Sequence, residues 1–259
     1  MTQATGDAGF DNATLSDDEL MRYARQILLD DWDIDAQIRL KNSHAIIVGM
    51  GGLGCPVAQV LVRAGIGRLT IIDDDTVDDS NLQRQVLYTA DDINQPKATA
   101  AKVALRRQNH FCQIDAIVDK IDADNALRYL QHGDLVIDCT DNFAIRDLLN
   151  QICRKHHYPL LSTSAIAQTG QIALYTTQTA CYQCVFGSDA SDEQSCATSG
   201  VLASTVAVIG ALASQVALTF LGKGINPIAN QLLIWQGDGL QLRHARFSPD
   251  LACSVCGNH

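Results

Sequence analysis

A chain of 259 residues, 47% of them hydrophobic, is long enough to bury the core of one large domain. Its formal net charge of −10 argues against sequence-independent nucleic-acid binding, because such binding needs a basic surface. The N-terminus has no basic segment followed by an apolar run, so we predict no secretory signal and expect a cytoplasmic protein. In that reducing compartment, nine cysteines favour metal ligation, catalysis or simple burial over a disulfide framework.

The first predicted element follows a polar tail, residues 1–15, which we expect to be disordered. Ser16 and Glu19 have the spacing of a capping box, and they predict an amphipathic helix through the segment DELMRYARQILL. A second, short helix is predicted around AQIRLKNS, directly before the first strand.

Strands and helices then alternate, which predicts a Rossmann-like, doubly wound α/β fold with a mainly parallel sheet. The predicted strands are 45–50, 68–73, 113–118, 134–139 and 159–164, and the predicted helices are 53–64, 97–108, 124–132 and 142–156. After these elements the segments QIALYTT, NQLLIWQGD and LQLRHARF are typical of strands that meet in hairpins, so antiparallel C-terminal strands are expected.

The segment from Gln194 to Gly222 has no charged residue and is long enough to cross a bilayer. Serine, threonine and glutamine side chains dilute its hydropathy, and the sequence has no second segment of this kind. We therefore interpret it as a buried helix at a protein interface and expect no membrane association.

The first predicted strand runs into GMGGLG, in which Gly49, Gly51 and Gly54 fit the dinucleotide-binding pattern. Glycines here allow a phosphate to approach the backbone at the start of a helix, and Gly52 opens the turn further. Asp73 ends the next strand, where it can accept hydrogen bonds from ribose hydroxyls. The pattern predicts adenosine binding. An NAD-dependent dehydrogenase is one alternative, although no His/Asp or Tyr/Lys pair suited to hydride transfer is evident.

Two basic residues, Arg84 and Lys97, follow the second strand, where α/β sheets place their ligands. Beside a nucleotide-binding loop in an acidic protein, they favour binding of a triphosphate. Asp141 follows the apolar strand DLVIDCT and faces the same crevice, where an aspartate is otherwise most often a helix N-cap.

Two C-x-x-C pairs, Cys181 with Cys184 and Cys253 with Cys256, have the spacing with which two thiolates bind one tetrahedral Zn²⁺. Two such pairs favour a closed structural zinc site, and a thioredoxin-like redox pair is the alternative. Four other cysteines lie within predicted helices or strands and are expected to be buried: Cys55, Cys112, Cys139 and Cys153.

From residue 16 onward the sequence resembles the MoeB/ThiF/HesA family, the bacterial relatives of ubiquitin-activating enzymes. The segments that carry the resemblance are RYARQ, GMGGLG, DDSNLQRQ, QPK and DCTDN. The family uses ATP and Mg²⁺ to adenylate the C-terminal glycine of a small ubiquitin-like protein. The resemblance implies a single domain over 16–259, with a nucleotide-binding part at about 16–165 and a carrier-binding and zinc part at about 166–259.

The resemblance also implies roles for individual residues. Gly52 would contact the phosphates, Asp73 the ribose and Asp141 the Mg²⁺, and Arg25 would reach the ATP of a partner subunit, which makes a homodimer the expected active form. The residues implied around the nucleotide are Ser80, Asn81, Arg84, Gln85 and Lys97.

The expected carrier is MoaD-like, in molybdopterin biosynthesis, and the alternative is the thiamine carrier ThiS. The sulfur donor is expected to be a separate protein. Cys196 is the family's crossover-loop cysteine, for which a role in sulfur transfer is one possibility, although acidic residues upstream would raise its pKa. A non-catalytic scaffold is a further alternative, which would be expected to lose Arg25, Arg84, Lys97 or Asp141.

Overall fold

An eight-stranded sheet forms the centre of the computed structural model, which describes residues 14–187 and 200–257. Its strands lie in the order β3-β2-β1-β4-β5-β6-β7-β8. The first five strands in that order are parallel, and β6, β7 and β8 continue the sheet as antiparallel strands. The predicted α/β fold with a mainly parallel sheet and antiparallel C-terminal strands is confirmed. The strands are β1 (His44–Val48), β2 (Arg68–Ile72), β3 (Gln113–Ile117), β4 (Leu135–Asp138), β5 (Leu160–Ile166), β6 (Thr169–Tyr175), β7 (Gln231–Gln236) and β8 (Gln241–Arg246).

Helices cover both faces of the sheet. One face packs against α2, α3, α4 and α8, and the other packs against α5, α6 and α7. Alternate residues of β1 point to opposite faces, so Ile47 packs in one core cluster and Ile46 in the other. The helices are α1 (Asp17–Ile27), α2 (Ile34–Lys41), α3 (Gly54–Ala64), α4 (Lys97–Gln108), α5 (Ala126–Leu130), α6 (Phe143–His156), α7 (Tyr182–Phe186) and α8 (Ala203–Lys223).

The capping box at the start of α1 is confirmed. The Ser16 side chain accepts a hydrogen bond from the Glu19 amide at 3.3 Å, and the Ser16 amide donates to Glu19 Oε2 at 2.8 Å. The same carboxylate accepts a hydrogen bond from Lys41 Nζ at 2.8 Å, at the end of α2. The Glu19 carboxylate therefore links the first two helices, in addition to the hydrogen bond from Gln26 Nε2 to Gln37 Oε1 at 2.8 Å.

Several element boundaries differ from the predicted ones by one or two residues, and for two elements the reason is identifiable. The predicted helix 124–132 is only Ala126–Leu130, because the Asp122 carboxylate binds the amides of residues 124 and 125 in a turn and His132 adopts a left-handed φ of 70°. Strand β5 extends beyond residue 164 to Ile166, since its last residues pair with the start of β6 across a tight hairpin.

Helix α8 has 21 residues and, among the described residues, is the one helix long and apolar enough to cross a membrane by length and composition. It packs against α2, α3, β5 and β6, and 56% of its most apolar window is buried. It is therefore a core helix of the α/β fold. Its other side exposes mainly small residues: Ser204, Ala207, Ala211 and Gln215.

Strand β1 lies between β2 and β4, so the chain winds outward in opposite directions on its two sides. At such a reversal the connections after adjacent strands diverge and leave a crevice at the carboxyl ends of the strands. This topology positions the site described next.

Candidate active site

A crevice of about 720 Å³ opens at the carboxyl ends of β1 to β4. This volume lies within the range of pockets that bind small molecules and cofactors. The crevice brings together most of the residues that the sequence predicts for nucleotide binding: Gly49, Gly51, Gly52, Asp73, Asn81, Arg84, Gln85, Lys97 and Asp141. Gly54, Ser80 and Arg25 are not among its lining residues.

Two glycines of the loop after β1 are required by close packing. Gly49 has a left-handed φ of 92°, and a Cβ on it would lie 2.8 Å from the Cys139 carbonyl oxygen. A Cβ on Gly54, the first residue of α3, would lie 2.0 Å from the Gly49 carbonyl oxygen. Gly54 therefore packs against the backbone of the glycine loop and does not face the crevice. No side chain caps the start of α3 within the described residues, but the Cys55 amide already donates to the Gly51 carbonyl oxygen at 3.1 Å. The amides of Gly51, Gly52 and Leu53, just before the helix, have no partner among the described residues and are the ones available to an anion.

Asp73 connects the ends of β1 and β2. Its Oδ2 accepts a hydrogen bond from the Met50 amide at 2.6 Å, and its Oδ1 accepts one from the Asp75 amide at 2.9 Å. Burial raises the pKa of this carboxyl above its usual value, although the two amides and the charge of Lys97 act in the opposite direction. A carboxylate has about four acceptor sites, so lone pairs remain for a ligand hydroxyl.

Lys97, the first residue of α4, brings a positive charge to the crevice from a mostly buried side chain. Its Nζ lies 2.9 Å from Asp75 Oδ2, and the Asp75 side chain is 71% exposed. An exposed carboxylate is a weak partner for a cation. A polyanionic ligand could therefore replace Asp75 without moving the lysine far.

A short 3-10 turn, Asp79–Asn81, orients the second cation. The Asp78 carboxylate accepts a hydrogen bond from the Ser80 amide at 2.9 Å, and Asn81 Oδ1 accepts one from the Asp78 amide at 3.2 Å. Arg84 then donates to the Ser80 carbonyl oxygen at 3.2 Å. Ser80 thus contributes its backbone to holding Arg84, while its side chain bonds to Asp78.

Gln85 is buried at the crevice beside Gly51, with its Nε2 3.7 Å from the position that a Gly51 Cβ would take. Its Oε1 has no hydrogen-bond partner within the part of the chain that the structure describes. A buried amide oxygen of this kind is normally satisfied by water or a ligand, so Gln85 carries an unused acceptor beside the crevice.

Asp141 is exposed in the crevice after β4. The cap of the following helix is its neighbour, because Asn142 Oδ1 accepts a hydrogen bond from the Ile145 amide at 3.0 Å. The alternative that Asp141 serves as the N-cap is therefore wrong. Among the described residues its carboxylate has no hydrogen-bond donor, and it remains free to bind a cation.

Arg146 is a crevice residue that the sequence analysis missed. Its Nε donates to Asp138 Oδ2 at 2.9 Å, and its Nη2 donates to the carbonyl oxygens of Thr140 at 2.7 Å and Thr163 at 3.1 Å. Burial lowers the pKa of Arg146, but the Asp138 carboxylate and Tyr182 together offset this effect, and the pKa is raised. This buried pair holds the backbone on which Asp141 is carried. An arginine in the first turns of a helix after a buried aspartate was the available signal.

Other lining residues were also absent from the sequence prediction. They come from the loop after β3, from β5 and from the segment before and at the start of α8: Asp119, Lys120, Ile121, Ser164, Ala165, Ile166, Gly200, Val201 and Val206. No compact motif marks these residues, because three separate parts of the chain supply them.

Arg25 lies away from the crevice of its own chain. It is exposed on α1, whose Tyr23 ring packs against Gly65 and whose Tyr23 hydroxyl accepts a hydrogen bond from Asn109 at 2.8 Å. Gly65 and Asn109 precede β2 and β3, so α1 lies at the amino ends of the strands. One chain therefore does not bring Arg25 together with Arg84, Lys97 and Asp141.

The two C-x-x-C pairs form one cluster. The four sulfur atoms of Cys181, Cys184, Cys253 and Cys256 all lie within 4.8 Å of one another. Individual Sγ–Sγ distances are 3.9 Å within the first pair, and 3.7 Å and 3.2 Å between the pairs. Thiolates around a tetrahedral Zn²⁺ with Zn–S bonds of about 2.3 Å lie about 3.8 Å apart. The donor set and its spacing therefore fit zinc, and they join the C-terminus to α7.

The remaining cysteines divide into two groups. Cys55, Cys112, Cys139 and Cys153 are buried free thiols, as predicted. Burial raises the pKa of the Cys55 and Cys112 thiols to about 12, which makes them poor nucleophiles. Cys196 lies outside the described residues.

The sequence matches the ThiF family over residues 23–255. It is 40% identical to the molybdopterin-synthase adenylyltransferase of Escherichia coli K12 over 247 residues, which cover 95% of this chain and 99% of that protein. It is 37% identical to the sulfur carrier protein ThiS adenylyltransferase of the same organism, over 94% of this chain and 97% of that protein. The structure of E. coli MccB with ATP is similar at a TM-score of 0.81 with 26% identity, over 91% of this chain and 74% of that chain.

We expect Asp138→Ala to lower the free energy of unfolding by about 3–5 kcal/mol, because it leaves the buried Arg146 guanidinium without its counter-ion. Urea denaturation measures the loss. The control is Asp115→Ala, which breaks a surface pair with Arg68, whose side chain is 48% exposed, and should cost less than about 1 kcal/mol. Equal losses in the two variants would contradict the structural role assigned to the buried pair.

Proposed function

The chain belongs to the ThiF family, and from this membership we propose that it uses ATP to adenylate the C-terminal carboxylate of a ubiquitin-like sulfur-carrier protein. The observation that carries the proposal is the convergence, in one crevice, of a glycine loop, a carboxylate at the ribose position, two cations and a free aspartate. Relatives named as adenylyltransferases match this chain over nearly their whole length. Because the chain belongs to this family, we do not propose a dehydrogenase activity.

The proposed reaction needs alignment and charge neutralisation more than proton transfer. A C-terminal carboxylate has a pKa of about 3.5, so it is ionised at neutral pH and needs no general base. It would attack the α-phosphorus of ATP and release pyrophosphate. The protein has to hold the two reactants in line and to neutralise the charge that develops on the phosphoryl oxygens.

Each part of the crevice supplies one of these tasks. The amides of Gly51, Gly52 and Leu53 would bind phosphate oxygens, and Asp73 would accept hydrogen bonds from the ribose. Arg84 and Lys97 would neutralise the triphosphate, with Lys97 leaving Asp75 to do so. Asn81 and the unsatisfied amide of Gln85 complete the proposed polar lining.

Asp141 would hold the magnesium ion that accompanies ATP. A carboxylate oxygen is a ligand that Mg²⁺ prefers, and this carboxylate faces the crevice without an internal donor among the described residues. When bound, the metal adds positive charge beside the phosphates. Arg146 positions Asp141, the proposed metal ligand, because it binds the carbonyl oxygen of the preceding residue, Thr140.

The proposed carrier is MoaD-like, for molybdopterin biosynthesis, and a ThiS-like carrier is the alternative. The 40% identity to the E. coli molybdopterin-synthase adenylyltransferase is slightly above the 37% identity to the ThiS adenylyltransferase. This small difference is the reason for placing the MoaD-like carrier first. The separate sulfur donor, the cytoplasmic location and the carrier-binding part at residues 166–259 stay predictions.

Carrier-dependent exchange of radioactive pyrophosphate into ATP tests the proposal. We expect exchange with a MoaD-like carrier and none without a carrier, and a parallel assay with a ThiS-like carrier decides the alternative. Exchange with neither carrier would contradict the proposed function.

We expect Asp141→Ala to lower the exchange rate by about 10²-fold or more, because the metal loses its ligand and the charge on pyrophosphate is less well neutralised. Carrier affinity, measured by calorimetry on the same variant, should stay within about twofold. Asp124→Ala, which alters an exposed aspartate outside the crevice, is the control. Normal exchange by Asp141→Ala at saturating ATP would remove this residue from the reaction.

We also propose that the active form is a homodimer in which Arg25 enters the partner's crevice. Arg25 lies far from its own crevice, at the amino ends of the strands, and large apolar side chains are exposed on α1, just after it and at the start of α2. These side chains gain free energy by being covered. They are Met21, Leu28, Leu29 and Ile34, with exposures of 81%, 73%, 55% and 44%.

Subunit mixing tests this dimer. Arg25→Ala and Asp141→Ala subunits should each be nearly inactive, but after exchange a heterodimer holds one crevice with both residues intact. About a quarter of the crevices should then be active at equal mixing, on the order of a quarter of the normal exchange rate. A mixture as inactive as its parents after verified subunit exchange would contradict a crevice shared between subunits.

Finally, we propose that the four-cysteine cluster binds structural Zn²⁺, because four thiolates at tetrahedral spacing form a closed site. Elemental analysis of protein purified under reducing conditions should give about one zinc per chain. Cys253→Ser should reduce this content and lower the thermal midpoint of unfolding, because metal binding contributes to folding. Cys112→Ser, at a buried thiol outside the cluster, should keep the zinc. Zinc-free wild-type protein would contradict the proposal.

A further inference from the structure

Three elements of the crevice are connected by hydrogen bonds that form a ring once Tyr88 is included. The Met50 amide donates to Asp73 Oδ2 at 2.6 Å, and Asp73 Oδ1 accepts from the Asp75 amide at 2.9 Å. Asp75 in turn accepts hydrogen bonds from Lys97, through its carboxylate from Nζ at 2.9 Å and through its carbonyl oxygen from the amide at 2.9 Å. The ring therefore joins the glycine loop, the end of β2 and the start of α4.

Tyr88 closes this ring. Its hydroxyl hydrogen is shared between two carbonyl oxygens, that of Met50 at 2.8 Å and that of Lys97 at 3.3 Å. The side chain is 6% exposed and does not line the crevice. The only other described donor to the Met50 carbonyl oxygen is the Cys55 thiol at 3.4 Å, and a thiol is a weak donor.

From this geometry we infer that Tyr88 is a positioning residue, whose hydroxyl fixes the spacing between the glycine loop and Lys97 and so prepares the crevice for the phosphate chain of ATP. The inference rests on the proposed function, since it assumes that ATP occupies the crevice. A phosphate chain must contact the glycine loop and Lys97 together, whereas the nucleoside part contacts Asp73. Loss of the hydroxyl should therefore weaken binding of phosphates selectively.

The phenylalanine variant isolates the hydroxyl, because Tyr88→Phe keeps the buried ring. Tyr175→Phe is a matched control: Tyr175 is also buried, at 4% exposure, and its hydroxyl has no hydrogen-bond partner within the described residues. Removing that hydroxyl should leave the crevice unchanged. Each variant is compared with the unmodified protein by calorimetry with Mg²⁺-ATP and, by competition, with adenosine, which lacks phosphates.

We expect Tyr88→Phe to raise the Kd for Mg²⁺-ATP about tenfold, the effect of losing one hydrogen bond that organises the site. The Kd for adenosine should change less than about twofold, and Tyr175→Phe should change neither. A purely structural role would lower the thermal midpoint without this selectivity. Equal weakening of ATP and adenosine, no weakening of either, or a Tyr88→Phe protein unfolded at the assay temperature would each overturn the assignment.

The outcomes also separate this inference from the proposed function. Normal ATP binding and carrier-dependent exchange in the unmodified protein, together with a silent Tyr88→Phe variant, would overturn only the role of Tyr88. An unmodified protein that does not bind ATP would contradict the proposed function, on which the role of Tyr88 depends.

Discussion

The rest of the structure depends on the confinement of β1. This strand pairs with β2 on one edge and β4 on the other, and its Ile46 and Ile47 pack into the two cores on opposite faces. A strand enclosed on all sides has no place for a ligand until its backbone leaves the sheet. Backbone and side-chain groups that can bind a polar ligand are therefore found after the carboxyl end of β1, where Gly49 turns the chain and the connections after adjacent strands diverge. The strand order thus determines where the crevice lies, and the residues that follow each strand determine what it can bind.

Local charge explains how a protein with a formal net charge of −10 can be suited to a polyanion. The crevice holds its cations in two ways. The charge of Arg146 is neutralised by the buried Asp138 carboxylate, and this pair stabilises the fold. Lys97 is paired with the exposed carboxylate of Asp75, which a ligand anion can replace. A buried pair is costly to separate and an exposed pair is not. This difference supports the proposed contact of Lys97 with a ligand, whereas Arg146 positions the backbone.

The sequence predicted the features that depend on local patterns. Alternating apolar runs located the strands, and the spacing of glycines and of the cysteine pairs located the loop and the four-cysteine cluster, because each pattern lies within a few residues. The contacts of Arg146 with Thr163, and of Tyr88 with Met50, could not be predicted, since each joins segments that only the folded chain brings together. The proposed position of Arg25 in a partner's crevice involves a second chain, so neither one sequence nor one subunit shows it.

The central claim is that ATP lies in the crevice with its phosphates between the glycine loop and Lys97. A crystal structure with a non-hydrolysable ATP analogue and Mg²⁺ tests it most directly. The account predicts ribose hydroxyls within hydrogen-bond distance of Asp73, phosphates against Gly52, Arg84 and Lys97, Lys97 Nζ separated from Asp75, and the metal on Asp141. An analogue bound elsewhere, or one bound in the crevice with its phosphates directed away from Lys97 and Asp141, would contradict the account.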